Sequence, residues 1–187
     1  MSDYSNDYIR RGVEACRQWG RDGTVCLADL DLLNSDLEKL VAEPEFNWIT
    51  YLDISEGKIS AEGIKRLAEN LPKELQELYL SNNDIGDHEI KILAVSLPEG
   101  LPALDIYRSN ISSNGAVALA THLPKRPKKL DIGENLIGEC GAKALRVKLP
   151  SRLAILGMDR NQPRGCPRAV GVPTCGIEGT VHSWRHW

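Results

Sequence analysis

Near the carboxy terminus stand four residues whose side chains can bind a metal ion: Cys166, Cys175, His182 and His186. Thiolate and imidazole are ligands that Zn²⁺ accepts readily, and the HxxxH spacing of the histidines suits one helical turn. Eight residues separate the two cysteines, whereas structural zinc sites commonly separate a pair by about two to four. The spacing favours incidental residues over a zinc site, and we expect neither a metal nor another cofactor.

Motifs that carry catalysis or nucleotide binding are missing from the sequence. It contains no GxxxxGK[ST] phosphate loop, no GxSxG elbow and no HExxH helix. His88 and His122 fall in helical segments, where we expect them to be solvated. A net charge of −3 opposes a phosphate-binding surface, and the basic run at 125–129 is interpreted as a solvated turn. We therefore expect no catalytic residue, no enzyme activity and no nucleic-acid partner.

The elements that must position any functional residue repeat with a period of 26 residues. The register is set by five leucines, Leu52, Leu78, Leu104, Leu130 and Leu156. Two positions further on stand five more apolar residues, Ile54, Leu80, Ile106, Ile132 and Met158. Other apolar columns keep the same phase, so the chain is predicted to stack one supersecondary unit many times.

Two spacings within each unit predict its parts. Apolar residues two apart indicate a short strand, and those three or four apart indicate a helix. In the second unit LQELYLSNNDI is the strand and turn, and GDHEIKILAVSLP is the helix. The helices are predicted to begin at Ser60, Gly86, Ser112 and Gly138. A recurring helical glycine, at Gly63, Gly115 and Gly141, is interpreted as packing the helix close to the strand layer.

The pattern LxxLxLxxN followed by a helix resembles the leucine-rich repeat family. Leu75, Leu78, Leu80 and Asn83 match it, and the residues Gly141, Leu145 and Leu149 are most similar to the helix of the ribonuclease-inhibitor-like class. The resemblance covers residues 25 to 161. It implies an α/β solenoid with a curved parallel sheet on the concave face and helices on the convex face.

An asparagine closes the strand turn in three of the units. Its amide can bond the backbone donors and acceptors that are left free where the chain leaves the sheet. Asn83, Asn135 and Asn161 occupy this position, whereas Gly57 and Ser109 replace it in two units. We expect those two turns to be weaker by about 1 kcal/mol each.

Three regions are predicted along the chain. Residues 1–23 form an amino-terminal helical cap, residues 24–161 hold about five repeats, and residues 162–187 are an irregular tail rich in glycine and proline. Phe46 and Trp48 are expected to pack against repeat ends. The array would end on a strand without its helix, and an open repeat end normally needs a cap. Three alternatives stay open: the tail folds back as an irregular cap, another chain covers the end, as in an oligomer through that end, or the tail is a truncated or altered ending.

The cysteine content and the hydropathy of the sequence indicate the cellular compartment of the protein. An odd number of cysteines and an amino terminus without an apolar secretory segment favour reduced thiols at Cys16, Cys26 and Cys140. No apolar run is long enough to span a bilayer. We expect a soluble cytoplasmic protein without a membrane partner, or one secreted into a host cell by a route without a classical signal peptide.

Polar and aromatic residues share one side of the predicted sheet. Side chains alternate along a strand, and equivalent residues of successive units lie about 4.8 Å apart. We call this surface the strand face, and it is formed by three rows of residues. These are Tyr51, Glu77, Ala103, Lys129 and Ile155; Asp53, Tyr79, Asp105, Asp131 and Gly157; and Ser55, Ser81, Tyr107, Gly133 and Asp159.

Three tyrosines cross these rows as a diagonal. Tyrosine is enriched among binding hot spots because it couples a large apolar area with a hydroxyl group. Carboxylates outnumber Lys129, which favours a partner with a basic surface. The predicted partner-binding residues are Tyr51, Asp53, Glu77, Tyr79, Asp105, Tyr107 and Asp131. The alternative is a solubilising face on which tyrosine merely favours strands.

The function predicted from these features is protein binding through the concave strand face. By resemblance, short repeat proteins without a catalytic domain look like adaptors, immune-type sensors or effectors that intracellular bacteria deliver into host cells. A different class of function stays open: the array recruits substrates for an enzyme or a ubiquitin-ligase-type assembly whose catalytic part lies elsewhere.

Overall fold

The computed structural model describes residues 23–125, 127–149, 153 and 155–161. Six three-residue strands alternate with helices along this part of the chain. The strands are β1 (Thr24–Cys26), β2 (Tyr51–Asp53), β3 (Glu77–Tyr79), β4 (Ala103–Asp105), β5 (Lys129–Asp131) and β6 (Ile155–Gly157). The helices are α1 (Asn34–Ala42), α2 (Ala61–Asn70), α3 (Gly86–Ser96), α4 (Ser113–Thr121) and α5 (Glu139–Lys148), with a 3-10 helix at Pro44–Trp48.

All six strands form one parallel sheet in the order of the sequence. The register leucines pair along it, from Leu52 with Leu78 to Leu130 with Leu156. Each helix packs against the next along the array. The sheet is open, and the predicted α/β solenoid and its 26-residue register are therefore confirmed.

A single apolar core lies between the sheet and the helices. The middle residue of each strand from β1 to β5 is buried, and so are the helical residues Ile64, Leu67, Ile90 and Leu93. Leu156, which continues the same column on β6, is 37% exposed. Burial of a Leu or Ile side chain contributes about 1.5–3 kcal/mol before entropy is counted.

The turn asparagines bond backbone donors and acceptors, as predicted, and some of these groups belong to the preceding unit. Asn135 Nδ2 donates to Ile106 O at 2.9 Å in the preceding unit and to Ile132 O at 3.0 Å in its own. Its Oδ1 accepts hydrogen bonds from the N–H groups of Ser109 and Ile111, both at 3.0 Å. Asn83 and Asn161 make equivalent bonds. Each asparagine therefore satisfies backbone groups of two successive turns.

Three helix starts are capped from the preceding unit. Asp87 accepts hydrogen bonds from Ser112 N at 2.7 Å, Ser112 Oγ at 2.5 Å and Gly115 N at 3.1 Å. Asn34 Oδ1 accepts from Ser60 N at 3.0 Å and its Nδ2 donates to Ser60 Oγ at 2.7 Å, and Ser113 Oγ accepts from Gly138 N at 3.0 Å. A capping side chain in this place satisfies helical N–H groups that have no partner within the helix.

Gly63 and Gly115 leave room for these caps, whereas a Cβ atom at Gly141 would stand 2.9 Å from Ala116 Cβ and Ser113 Cα of the preceding helix. These contacts correct the interpretation that the glycines pack the helix close to the strand layer. A Cβ atom at Gly115 would stand 2.5 Å from Asp87 Oδ1, and one at Gly63 would stand 2.5 Å from Asn34 Oδ1. The glycine therefore leaves room for the side chain of the preceding unit. Glu89 stands in place of the glycine in helix α3. The preceding unit has Ala61 at the position equivalent to Asp87, and alanine has no capping group.

Two other predictions are wrong. Phe46 is buried, but Trp48 is 81% exposed and packs on no repeat end. Cys140 takes part in a disulfide, whereas Cys26 is a free and exposed thiol on β1. The amino-terminal cap, Cys16, the glycine- and proline-rich tail and the four residues with metal-binding side chains lie outside the described residues.

Candidate functional site

The strand face lies on the side of the sheet opposite the helices. The first and third residues of β2 and β3 are half-buried, whereas the middle leucine of each strand is buried against the helices. Strand pairing places Tyr51 beside Glu77, and Asp53 beside Tyr79. The same register continues to Ala103 and Lys129 in one row and to Asp105 and Asp131 in the next. The predicted rows are therefore present in the sheet.

Two of the three tyrosines contact each other. The ring centroids of Tyr51 and Tyr79 are 5.2 Å apart and the rings are tilted by 36°, a geometry that aromatic pairs favour. The Tyr79 hydroxyl donates a hydrogen bond to Glu77 Oε2 at 2.6 Å. Burial and this bond raise the pKa of Tyr79 above its usual range, and burial raises the pKa of Tyr51. Both phenols are therefore hydrogen-bond donors at neutral pH.

Lys129 extends the aromatic pair. Its Nζ lies 4.7 Å from the centroid of the Tyr79 ring and 4.0 Å from Asp105 Oδ2. Lys129 belongs to β5 and Tyr79 to β3, so the lysine side chain crosses β4. The residue that it passes there is Ala103, which is 7% exposed. Lys129 thus lies on the strand face and is not part of a solvated turn.

Three aspartates of the central row accept hydrogen bonds from their own turns. Asp53 Oδ1 accepts from Ser55 N, Asp105 Oδ1 from Tyr107 N and Asp131 Oδ1 from Gly133 N, each at 3.0 Å. The side chains therefore have a structural role as well as a charge. Asp105 Oδ1 also accepts a hydrogen bond from Ser81 Oγ at 2.5 Å.

The surroundings of the Asp131 carboxylate disfavour its ionised form. Desolvation raises the pKa of Asp131, and the charges of Asp105 and Asp159 add to this effect. The hydrogen bond from Gly133 N and the charge of Lys129 act in the opposite direction. A Cβ atom at Gly157 would overlap the Asp131 carboxylate, so the carboxylate lies over that glycine.

Replacing Asp131 with asparagine should raise the thermal midpoint at pH 7. The amide oxygen can still accept from Gly133 N, and the penalised charge is removed. A raised folded-state pKa means that the folded protein favours the protonated carboxyl, so ionisation lowers stability above that pKa. The gain should disappear below the ordinary pKa of about 3.9, where both states are protonated. Melting curves at neutral and acid pH check this, with Asp84→Asn as control because Asp84 is exposed and does not act on Asp131. A gain that persists in acid contradicts the prediction.

Tyr107 stands apart from the other two tyrosines. A Cβ atom at Gly133 would stand 3.0 Å from Tyr107 Cδ2, so the ring lies over that glycine. A hydrogen bond with Glu134 raises the pKa of Tyr107, and the same bond, with Arg160, lowers the pKa of Glu134. In the described part of the chain the ring contact joins only Tyr51 and Tyr79. The predicted diagonal is therefore one aromatic pair and one separate tyrosine.

A row of polar residues beside the strand face was not predicted from the sequence. Its members follow the register leucines by four residues and share a positive φ angle: Glu56, Asn82, Arg108, Glu134 and Arg160. Positive φ is uncommon for residues other than glycine, asparagine and aspartate. With Asp84, Asn110 and Leu136 among others, the first four line an open groove of ≈ 610 Å³. The same 26-residue register would have revealed the row, although residue type does not indicate the backbone angle.

The described residues hold no group of three or more histidine, cysteine or acidic side chains that could bind a metal. Within the same part of the chain, no helix has the length and apolar character needed to cross a bilayer. The strand face brings aromatic rings beside carboxylates on the parallel sheet.

Comparison with known proteins agrees with this architecture. A family model described as "Leucine Rich repeat" matches residues 47–68 and 74–88, which span β2, α2 and β3. No curated protein matches the chain. The family match and the open sheet of alternating strands and helices support a leucine-rich repeat family and define an α/β leucine-rich-repeat solenoid. Repeats of this kind are generally protein-interaction modules.

Proposed function

We propose that this chain binds a protein partner through the strand face, with Tyr51, Tyr79 and Tyr107 as the aromatic contacts. The observation that carries the proposal is the Tyr51–Tyr79 pair, which is held on the exposed side of the sheet by the bond from Tyr79 to Glu77. A hot spot loses less entropy on binding when its side chains are already ordered. Burial of these rings against a partner is therefore favourable.

Charge points to a basic partner surface. Around the tyrosines the strand face carries one lysine, Lys129, against five carboxylates: Asp53, Glu77, Asp105, Asp131 and Asp159. Complementary charge raises the association rate and excludes acidic partners.

We place the repeats in the ribonuclease-inhibitor-like class, since each strand of the described units from β1 to β5 is followed by an α-helix. An adaptor or bacterial effector role, a cytoplasmic location, and an oligomer through the carboxy-terminal repeat end remain predictions from the sequence. The substrate-recruiting role in an enzyme assembly remains the alternative.

Changing Tyr79 and Tyr107 together to alanine should weaken partner binding at least tenfold, equal to about 1.4 kcal/mol. Partners are captured from a lysate by the unchanged protein, identified, and then titrated against purified variants. The thermal midpoint of the variant checks that the fold is kept. Trp48→Ala is a matched control because Trp48 is an exposed aromatic outside the strand face. Unchanged affinity in the double variant would refute the proposal.

A further inference from the structure

We propose that Lys129 occupies, in the free protein, the place that an arginine side chain of the partner takes in the complex. This inference rests on the proposed function and names the chemistry of the partner: a protein segment that presents arginine to the Tyr79 ring. Lys129 then acts as an internal competitor for the aromatic pair and determines how readily a basic partner enters.

The position of the ammonium group shows what the Tyr79 ring accepts. Lys129 Nζ lies 4.7 Å from the ring centroid, within the range in which a cation is attracted to an aromatic face. Strand pairing places Asp53 and Asp105 on either side of Tyr79, on β2 and β4. The ring is therefore bordered by two carboxylates, which is the environment that a cationic side chain requires.

The lysine is weakly held in this position. Its ion pair with Asp105 is long, at 4.0 Å, and its side chain is 31% exposed. The Asp105 side chain is less exposed, at 15%, but a charge pair at this distance lacks the short contact of a strong charge-assisted hydrogen bond. Asp105 Oδ1 already accepts hydrogen bonds from Tyr107 N and Ser81 Oγ, and the lysine approaches the other oxygen, Oδ2. A partner side chain with better geometry can displace it.

Arginine has that geometry. Its planar guanidinium stacks on an aromatic ring and presents several N–H donors in a fixed fork, whereas an ammonium group acts as a point charge. Stacked on Tyr79, a guanidinium can donate to the carboxylate of Asp53 or Asp105 in the plane of the fork. Tyr51, whose ring packs on Tyr79 at 5.2 Å, supports the ring from the side of β2.

The test measures binding of a short fluorescein-labelled peptide of alternating arginine and glycine by anisotropy. Lys129→Met keeps the apolar stem over Ala103 and removes the charge. We expect it to bind the peptide roughly three- to tenfold more tightly than the unchanged protein. Peptides of the same length with lysine or citrulline in place of arginine should gain less from the substitution, since lysine lacks the fork and citrulline lacks the charge.

Lys128→Met is the matched control. Lys128 is adjacent to Lys129 and is exposed, and its replacement by methionine changes the net charge by the same amount. We expect it to raise affinity for the arginine peptide by less than about twofold, the effect of net charge alone. Tyr79→Leu added to Lys129→Met should remove the gain. Thermal midpoints of all variants check that the fold is kept.

Equal tightening by Lys129→Met and Lys128→Met would overturn the inference, because it would reduce the effect to net charge. Weaker binding by Lys129→Met would also overturn it, since Lys129 would then contact the partner itself. The inference would also be overturned if the Lys129→Met protein did not bind the arginine peptide. Any of these results leaves the proposed function intact if partner capture still depends on Tyr79 and Tyr107. If partner capture does not depend on those tyrosines, the proposed function is refuted, whatever the peptide measurements show.

Discussion

Replacing Asn135 with alanine should lower the free energy of unfolding by about 3–4 kcal/mol. Asn135 is 2% exposed. Its Nδ2 donates to the carbonyls of Ile106, Ile132 and Gly133, and its Oδ1 accepts from the N–H groups of Ser109 and Ile111. Alanine removes the partner of the other four backbone groups in the two turns, whereas Gly133 O keeps its hydrogen bond from Arg108 N. Against a typical total of about 5–15 kcal/mol, the loss is large.

Urea denaturation of the variant and the unchanged protein measures this loss. Asn114→Ala is the matched control, because Asn114 is an exposed residue of helix α4, and it should change stability by about 0.5 kcal/mol or less. Asn83→Ala should cost less than Asn135→Ala, since the contact of Asn83 Oδ1 with Ile59 N is longer, at 3.4 Å. Equal losses at Asn114 and Asn135 would contradict the bridging role of the turn asparagine.

Replacing Gly115 with alanine should destabilise the protein by about 2–3 kcal/mol, although alanine favours helix by about 1 kcal/mol. The new Cβ would stand 2.5 Å from Asp87 Oδ1 and 2.7 Å from Ile111 Cγ2. Asp87 would have to move, and with it the hydrogen bonds to Ser112 and Gly115 that cap helix α4. The steric change therefore also removes a cap.

A double-mutant cycle with Asp87→Ala separates the two effects. In that background the capping bonds are already lost and the carboxylate no longer obstructs the new methyl group. Alanine at Gly115 should then cost at least about 1 kcal/mol less than in the unchanged protein. Thermal or urea unfolding of the four proteins gives the coupling. Additive effects would show that Asp87 is not the reason for the glycine.

Much of the fold could be predicted because the 26-residue register repeats so often. A strand period and a helix period within each unit determined the order of elements, and burial of Leu52, Leu78, Leu104 and Leu130 follows from the same pattern. The bonds of Asn135 were predictable because its amide suits the free groups of a turn. The exposure of Trp48 and the disulfide of Cys140 were not, since neither residue belongs to a repeating column.

The candidate site was only partly predictable. The register placed Tyr51, Tyr79 and Tyr107 on one face, and the structure keeps them there. It did not reveal that Tyr79 contacts Tyr51 and Lys129, or that Tyr107 lies over Gly133. Those contacts depend on side-chain rotamers and on the small residues Ala103 and Gly133, which leave space for longer neighbours.

The sequence by itself determined the α/β repeat architecture and the rows of the strand face, because both follow from periods of two and of three to four residues within a constant register. Only the tertiary structure decided which neighbours fill the space that a small residue leaves. Asp87 reaches over Gly115 to cap the next helix, and Lys129 passes Ala103 to reach Tyr79. Such contacts join residues of successive or alternate units, where distance and side-chain direction matter and sequence spacing says little.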